Sequence, residues 1–270
     1  MKKALKIVVL AKQVPDTRNV GKDAMTPEGT VNRAALPAIF NPEDLNALEM
    51  ALALKDRTEG STVHILTMGP QRAADIIRDA MFRGADGGYL LTGREFAGSD
   101  TLATSYALSC ALKMIAPDII FAGRQAIDGD TAQVGPQVAE KLGLPQVTYA
   151  ADIRKEGRTL TVRRMLEDGY MNIQVSTPCL ITCIKELNTP RYMTVKGILE
   201  CDQKPYRVLD YAALKDEPLI EPDTIGLKGS PTNVYKSFSP PVKGAGVLLE
   251  GSPKEAVAQL FAALEKQHMI

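Results

Sequence analysis

Residues 123–135 read Gly123-Arg124-Gln125-Ala126-Ile127-Asp128-Gly129-Asp130-Thr131-Ala132-Gln133-Val134-Gly135. They follow an apolar run at 118–122 and precede apolar residues at helical spacing, which predicts a strand, a glycine-rich loop and a helix start. In an open α/β sheet, ligands bind at this position, beside the carboxyl ends of the strands. Glycines let backbone N–H groups approach an anion, and the helix start adds partial positive charge. The loop therefore favours a nucleotide as ligand.

The side chains of Asp128, Asp130 and Thr131 have two interpretations at this point. They could hydrogen-bond a ribose, or they could cap the following helix. An ordinary strand-to-helix turn would show the same spacing, because short glycine-rich loops are common. Pro136 fits best in the first helical turn, so either Thr131 or Gly135 is the expected cap.

Strands and helices alternate through the first half of the chain. Strands are predicted at 5–12, 63–68, 89–91 and 118–122. Asn41 is the expected N-cap of the first helix because Pro42 follows it, Gly69-Pro70 begins a second helix, and Ser99 or Asp100 caps a third. This alternation predicts a parallel sheet with helices on both faces and right-handed crossovers.

The second half of the chain follows a different pattern. Further strands are predicted at 147–150, 159–162, 172–175 and 178–184. The first three alternate apolar and polar residues, which indicates antiparallel strands, whereas the last is continuously apolar and therefore buried. Near the N-terminus, residues 13–16 are expected to form a turn and residues 25–34 a hairpin.

Prolines interrupt the chain after residue 200 until a helix at about 253–266, whose apolar face includes Val257, Leu260 and Phe261. That face needs something to pack against. We therefore predict an α/β fold with three layers: a mostly parallel sheet, helices on both faces, antiparallel additions, and a C-terminal arm that packs on a partner subunit. The predicted division is a nucleotide-binding domain at 1–200 and the arm at 201–270.

Composition excludes several classes of function. Lysine plus arginine and aspartate plus glutamate number 32 each, so no basic surface for nucleic acid is indicated. No apolar run approaches the length of a membrane span, and the N-terminal apolar run is too short for a secretion signal. The four cysteines form no Cys-x-x-Cys pair, which indicates packed thiols rather than a metal site and fits a reducing cytoplasm.

Motifs for acid–base or nucleophilic catalysis do not occur. The P-loop pattern and a Gly-x-Gly-x-x-Gly after the first strand are absent, as is Gly-x-Ser-x-Gly. His64 lies in an apolar run and is interpreted as a satisfied structural residue. We therefore expect a nucleotide-binding α/β protein with neither catalytic side chains nor a metal of its own.

Three separated segments together resemble one family. Residues 7–16, the loop at 123–130 and Leu187-Asn188-Thr189-Pro190-Arg191-Tyr192 resemble the beta subunit of electron transfer flavoproteins, in the same order and spacing. The resemblance implies a heterodimer with an alpha subunit that holds one FAD. It also implies a second nucleotide in the beta subunit, which is AMP in simple carriers and FAD in the electron-bifurcating group.

The resemblance implies where that second nucleotide binds. The residues that would line the adenosine are Leu10, Ala11, Lys12, Asn41, Met68 and Gly69. The residues that would wrap the ribose and phosphates are Gly123, Arg124, Gln125, Ala126, Ile127, Asp128, Gly129, Asp130, Thr131, Ala132, Gln133 and Val134. Simple carriers have an additional acid where this chain has Gly129, and the loop resembles the bifurcating group. A glycine leaves room for a flavin-bearing pyrophosphate and removes a carboxylate from beside it.

In the bifurcating group, NADH is expected to reduce the beta-subunit FAD. One electron then passes to ferredoxin, and the other passes through the alpha-subunit FAD to a flavin-dependent dehydrogenase. The family implies that the segment with Leu187, Asn188, Pro190, Arg191 and Tyr192 binds that dehydrogenase, with Leu187 as the anchor. Arg191 would pair with a carboxylate of the partner or hold carbonyls of its own loop.

Two alternatives remain at this point. One is a simple electron carrier with a structural AMP in the same site, which a cofactor assay distinguishes from a bifurcating subunit. The other is a stand-alone adenine-nucleotide binding module, which would be stable without a partner. The proline-rich arm and the apolar face of the last helix favour a subunit of a complex.

Overall fold

The computed structural model describes residues 4–16, 37–218, 220–232, 244 and 246–270. The hairpin predicted at 25–34 lies outside them. The strands are β1 (Lys6–Leu10), β2 (Gln13–Pro15), β3 (Ala38–Phe40), β4 (Thr62–Met68), β5 (Gly87–Leu91), β6 (Ile119–Gly123), β7 (Gln146–Glu156), β8 (Thr159–Leu166), β9 (Gly169–Ser176), β10 (Cys179–Cys183) and β11 (Tyr206–Leu209). The helices are α1 (Pro42–Arg57), α2 (Ala74–Arg83), α3 (Thr101–Ile115), α4 (Val134–Leu142), α5 (Val195–Glu200), α6 (Tyr211–Leu214) and α7 (Pro253–Lys266).

The large sheet has the strand order β11-β5-β4-β1-β6-β10-β7-β8-β9. Neighbours from β11 to β7 are parallel, whereas β8 and β9 are antiparallel to their neighbours. The predicted α/β class, with a mostly parallel sheet and antiparallel additions, is therefore confirmed. The chain proceeds from β1 to β4 and β5 on one side and then returns to β6 on the other. The crevice between β1 and β6 is thus the switch point at which such sheets bind ligands.

The central strands are covered on both faces. Ile7 and Val9 of β1 belong to an apolar layer with α1 and α2, whereas Val8 and Leu10 belong to a second layer with α3 and α4. Every residue of β6 and β10 is buried. Their unbroken apolar runs predicted this, because a strand between two helical layers has no polar face.

The cysteines confirm the interpretation as packed thiols. All four are free and buried, and Cys179 and Cys183 lie in the same apolar layer as Ile181. Burial raises the pKa of Cys179, so its thiol stays protonated.

One of the predicted helix caps is wrong, and another lacks its side-chain bond. α1 begins at Pro42 with Asn41 at its N-cap, as predicted, but the Asn41 side chain makes no capping hydrogen bond. α4 begins at Val134 after Gln133, so neither Thr131 nor Gly135 is its cap. By contrast, Asp100 caps α3, since its carboxylate accepts from the backbone N–H groups of the first turn.

The turn predicted at residues 13–16 is also wrong. Residues 13–15 form β2 rather than a turn, and β2 pairs antiparallel with β3. Val14 is buried in this small ribbon, which explains why the segment stays extended after β1. Pro15 is tolerated because it lies at the end of the ribbon, where a missing N–H donor costs little.

Part of the chain beyond residue 200 packs on the sheet. β11 pairs with β5 at the sheet edge, and Leu209, Leu214 and Ile225 are buried in the layer with α3 and α4. The division at residue 200 stays a prediction, and the structure adds this edge strand to the α/β core. α7 matches the predicted helix at 253–266, and its Val257, Leu260 and Phe261 are exposed.

Candidate functional site

A cleft with a volume of about 910 Å³ lies at the carboxyl edge of the sheet, beside the switch point. Its floor comes from the ends of β1 and β4, including Leu10 and Met68. One wall is the loop after β6, and the other wall is the loop after β5 together with the start of α3. Of the residues predicted to bind a nucleotide, all but Asn41, Ile127 and Asp128 line this cleft.

The first turn of α1 holds the loop after β6 in place. Asn41 Nδ2 donates to the Gln125 carbonyl at 2.8 Å, and Asn41 Oδ1 accepts from the Ile127 N–H at 3.1 Å. The Glu43 carboxylate accepts from the Gln125 N–H at 3.1 Å and pairs with the Arg124 guanidinium at 3.0 Å. The Asn41 side chain therefore supports the loop from behind, which explains why it neither caps α1 nor lines the cleft.

Asp44 joins two strand ends at the floor of the cleft. Its carboxylate is buried and accepts the N–H of Lys12 at 2.8 Å and the N–H of Gly123 at 2.9 Å. Burial raises the pKa of this carboxyl to about 7, although the hydrogen bonds act in the opposite direction. A side chain on Gly123 would collide with Asp44, so this position requires glycine for close packing.

The loop itself turns through two residues with left-handed backbone. Asp130 has φ of 48° and Ala132 has φ of 53°, a conformation that is costly for residues with a side chain. Gly129 does not have a positive φ, so its backbone conformation does not require a glycine. A Cβ placed on Gly129 would meet no protein atom within 4 Å, and the space beside it is open.

The acidic side chains of the loop are engaged by neighbours. Asp128 pairs with Lys12, with 2.7 Å between Nζ and Oδ1, and Asp130 accepts from Gln125 Nε2 at 2.8 Å. The capping interpretation of Asp128 and Asp130 is therefore excluded, and their interaction with a ribose stays a prediction.

The second wall of the cleft was not predicted from the sequence. It consists of Thr92, Gly93, Arg94, Phe96, Ala97, Gly98, Ser99, Asp100, Thr101 and Thr104. The two walls meet where Thr101 Oγ1 donates to Gln133 Oε1 at 2.9 Å. The sequence contains a signal for this second wall, because the loop after β5 follows a parallel strand and precedes a helix start, as does the loop after β6.

A model of the electron transfer flavoprotein domain matches residues 28–214, which is more than half of the chain. The chain belongs to the electron transfer flavoprotein family. Three relatives match this family member over nearly its whole length and over 100% of their own.

The relatives differ in the complexes that their names describe. The acryloyl-CoA reductase electron transfer subunit gamma of Anaerotignum propionicum is 59% identical over 98% of the chain. Subunit CarD of the caffeyl-CoA reductase-Etf complex of Acetobacterium woodii is 46% identical, and the electron transfer flavoprotein subunit beta of Clostridium acetobutylicum is 47% identical, each also over 98% of the chain. This electron transfer flavoprotein is thus a beta-type subunit of the kind found in electron transfer complexes.

The predicted docking segment of this electron transfer flavoprotein is fastened to α1. Leu187 is half-buried and packs against the core of its own subunit. Asn46 Nδ2 donates to the Asn188 carbonyl at 2.8 Å, and the Arg191 guanidinium binds Glu49 and Asp56 at 2.8 and 3.0 Å. Arg191 therefore pairs with carboxylates of its own chain, which neither expectation for this residue included.

Apolar side chains are exposed directly after this fastened segment. Tyr192 is 90% exposed, Val195 is 75% exposed and Leu199 is 74% exposed. Met193 and Ile198 are exposed beside them. In this flavoprotein, the residues after Arg191 thus present more apolar surface to solvent than Leu187 does.

Two further observations concern the rest of the flavoprotein. His64 Nδ1 is buried and has no hydrogen-bond partner among the described residues, so the expectation of a satisfied histidine is wrong. Burial lowers the pKa of His64, so the ring is neutral at pH 7. In the parts of the chain that the structure describes, no helix is long and apolar enough to cross a membrane.

Proposed function

We propose that this chain is the FAD-binding beta subunit of an electron-bifurcating flavoprotein. In this proposal it receives electrons from NADH and acts with an alpha subunit that passes them to ferredoxin and to a flavin-dependent dehydrogenase. The observation that carries the proposal is the continuous cleft of about 910 Å³, whose second wall extends beyond the loop expected to bind AMP. That volume is near the upper end of the range of about 300–1,000 Å³ for ligand sites.

The residues present fit a dinucleotide with a flavin. The space beside Gly129 is open to a pyrophosphate, and the start of α4 lines the cleft with its partial positive charge. Leu66, Leu91 and Phe96 give the second half of the cleft an apolar lining, as an aromatic ring system requires. AMP alone would leave that half without a ligand, which favours FAD over AMP.

FAD, when bound, supplies the electron-transfer chemistry of the site. The protein contributes position and electrostatics. Asn41 and Glu43 fix the loop, so its backbone is already arranged before a ligand arrives. Lys12 and Arg124 line the cleft and add positive charge near the expected phosphates, each partly balanced by its acidic partner. Because the cofactor carries the chemistry, the site needs no general acid or base from the chain.

Counting the ligands released from the purified heterodimer tests the proposal. The protein is denatured, and FAD and AMP are quantified by chromatography against the protein concentration. Two FAD and no AMP per heterodimer support an FAD-binding beta subunit. One FAD and one AMP would instead establish a simple carrier and overturn the proposal.

The exposed apolar residues after Arg191 are the proposed docking surface for the dehydrogenase. We define this docking surface as Tyr192, Met193, Val195, Ile198 and Leu199. The bonds from α1 to the segment before it reduce the ordering cost of docking. The names of two relatives, from acryloyl-CoA and caffeyl-CoA reductase complexes, support a partner that acts on a CoA thioester.

The alpha subunit is the proposed partner of the arm. The exposed Val257, Leu260 and Phe261 of α7 form one apolar helix face of the kind that subunit interfaces cover. We further propose that the complex acts in the cytoplasm, where four buried free thiols are stable.

A further inference from the structure

Residues 224–232, which we call the strap, are bonded along the second wall of the cleft. The Leu227 N–H donates to the Ala97 carbonyl at 2.9 Å, and the Gly226 N–H donates to Ser99 Oγ at 3.1 Å. Ser230 Oγ accepts the Asp100 N–H at 2.8 Å. Each of these wall residues lines the cleft, so the strap supports the wall from its outer side.

The strap also fits the wall closely through glycines. Gly98 has φ of +75°, and a Cβ there would lie 3.0 Å from the Leu227 Cβ. Gly226 has φ of +63°, and a Cβ there would overlap the Glu95 carbonyl. Ile225 is buried in the layer with α3 and α4. The strap is therefore packed into the domain.

Asp100 connects the strap to the start of α3. Its Oδ1 accepts the N–H groups of Leu102 and Ala103 at 3.0 Å and thereby caps the helix. Its Oδ2 accepts the Thr232 N–H at 3.1 Å and the Thr232 hydroxyl at 2.7 Å. One carboxylate thus fixes both the helix start that lines the cleft and the last residue of the strap.

We propose that the strap sets the position of the second wall and so determines affinity for the part of FAD beyond its AMP moiety. Asp100 is the residue that positions the strap against the second wall. The inference rests on the proposed function, in which the loop after β6 holds the AMP moiety of FAD and the second wall contacts the remainder of the FAD molecule.

The decisive variant removes two side-chain hydroxyls of the strap and leaves the cleft surface unchanged, because neither Ser230 nor Thr232 lines the cleft. In Thr232→Val/Ser230→Ala, the two hydroxyls that hold the strap to residues 98–100 are lost. Thr232→Ser is the matched control because it keeps its hydroxyl. Asp100→Asn is a second probe: its carbonyl oxygen still caps α3, but its amide nitrogen cannot accept from Thr232.

Each heterodimer is stripped of its beta-site ligand, with the alpha-subunit FAD retained, and titrated with FAD and separately with AMP. We expect FAD to bind about tenfold more weakly in the double variant and in Asp100→Asn, which corresponds to about 1.4 kcal/mol. The affinity of these variants for AMP should change by less than about twofold. Thr232→Ser should bind both ligands as the wild type does. Equal losses for FAD and AMP, or no loss for FAD, would overturn the inference.

Amide hydrogen exchange at residues 93–101 separates this inference from the proposed function. Faster exchange there in the double variant, with unchanged exchange at 123–134, supports the positioning role of the strap. Unchanged exchange at 93–101 overturns it. A wild-type protein that binds AMP but not FAD would overturn the proposed function and the affinity part of the inference, whereas the exchange result would still decide whether the strap positions the wall.

Discussion

Asp44 should make the stability of this protein depend on pH in a specific window. Its carboxyl has an ordinary pKa of 3.8, and burial raises that pKa to about 7 in the folded protein. The folded state therefore holds a proton that the unfolded state releases. The resulting stabilisation is fully present below pH 3.8 and is lost as the pH rises through about 7.

The magnitude follows from the size of the shift. Each pH unit inside the window changes the free energy of unfolding by about 1.4 kcal/mol, so the whole effect is on the order of 4 kcal/mol. Asp44→Asn removes the titrating group. It also loses one acceptor, since its amide nitrogen must face the N–H of Lys12 or Gly123, and this cost is independent of pH.

Urea unfolding of wild type and Asp44→Asn at pH 5, 6, 7, 8 and 9 measures the effect. The free energy of unfolding of the wild type minus that of Asp44→Asn should fall by about 1.4 kcal/mol per pH unit up to pH 7 and then stay constant. Thr101→Val is the control, because it removes a hydroxyl from the opposite wall of the cleft and titrates nothing. Parallel stability curves for wild type and Asp44→Asn would refute the reasoning.

Two further predictions concern the cleft and the docking surface. Gly129→Asp should weaken FAD binding at least about tenfold, whereas the neutral Gly129→Asn should keep most of the affinity, because charge rather than backbone strain determines affinity at this position. Fluorescence titration measures the FAD affinity of both variants. Equal losses in the two variants would contradict the charge argument. Val195→Ser should slow dehydrogenase-coupled turnover without changing the free energy of unfolding in urea, whereas Leu187→Ala should lower that free energy by about 1–2 kcal/mol because its side chain is half-buried. A Leu187→Ala variant with normal stability and slow turnover would restore Leu187 as the anchor.

The sequence predicted the fold well because the parallel strands are unbroken apolar runs. β1, β6 and β10 are covered on both faces, so their composition alone separates them from the alternating strands β7, β8 and β9. The loop after β6 was predicted for the same reason, since it follows one of these runs and contains Gly123 and Gly129.

The parts that the sequence did not predict depend on contacts between distant residues. Asn41 occupies the N-cap position that the sequence predicts, but its side chain bonds two backbone groups of the loop, 84 and 86 residues away, instead of the helix. Arg191 pairs with carboxylates that lie 142 and 135 residues earlier in the chain, on α1. The loop after β5 has the same strand-to-helix pattern as the loop after β6, but its place in the cleft depends on β5 lying beside β4 in the sheet.

α1 has a consequence for electron delivery that follows from its two sets of bonds. Asn41 and Glu43 hold the loop after β6, and Asn46 and Glu49 hold the segment before the proposed docking surface. Along the helix axis, Asn41 and Glu49 are separated by roughly 12 Å. In the proposed complex, α1 would therefore act as a spacer that keeps the distance between the bound cofactor and the docked partner constant. One residue inserted between Glu43 and Asn46 would turn one set of contacts by about 100° relative to the other, and the spacing would be lost.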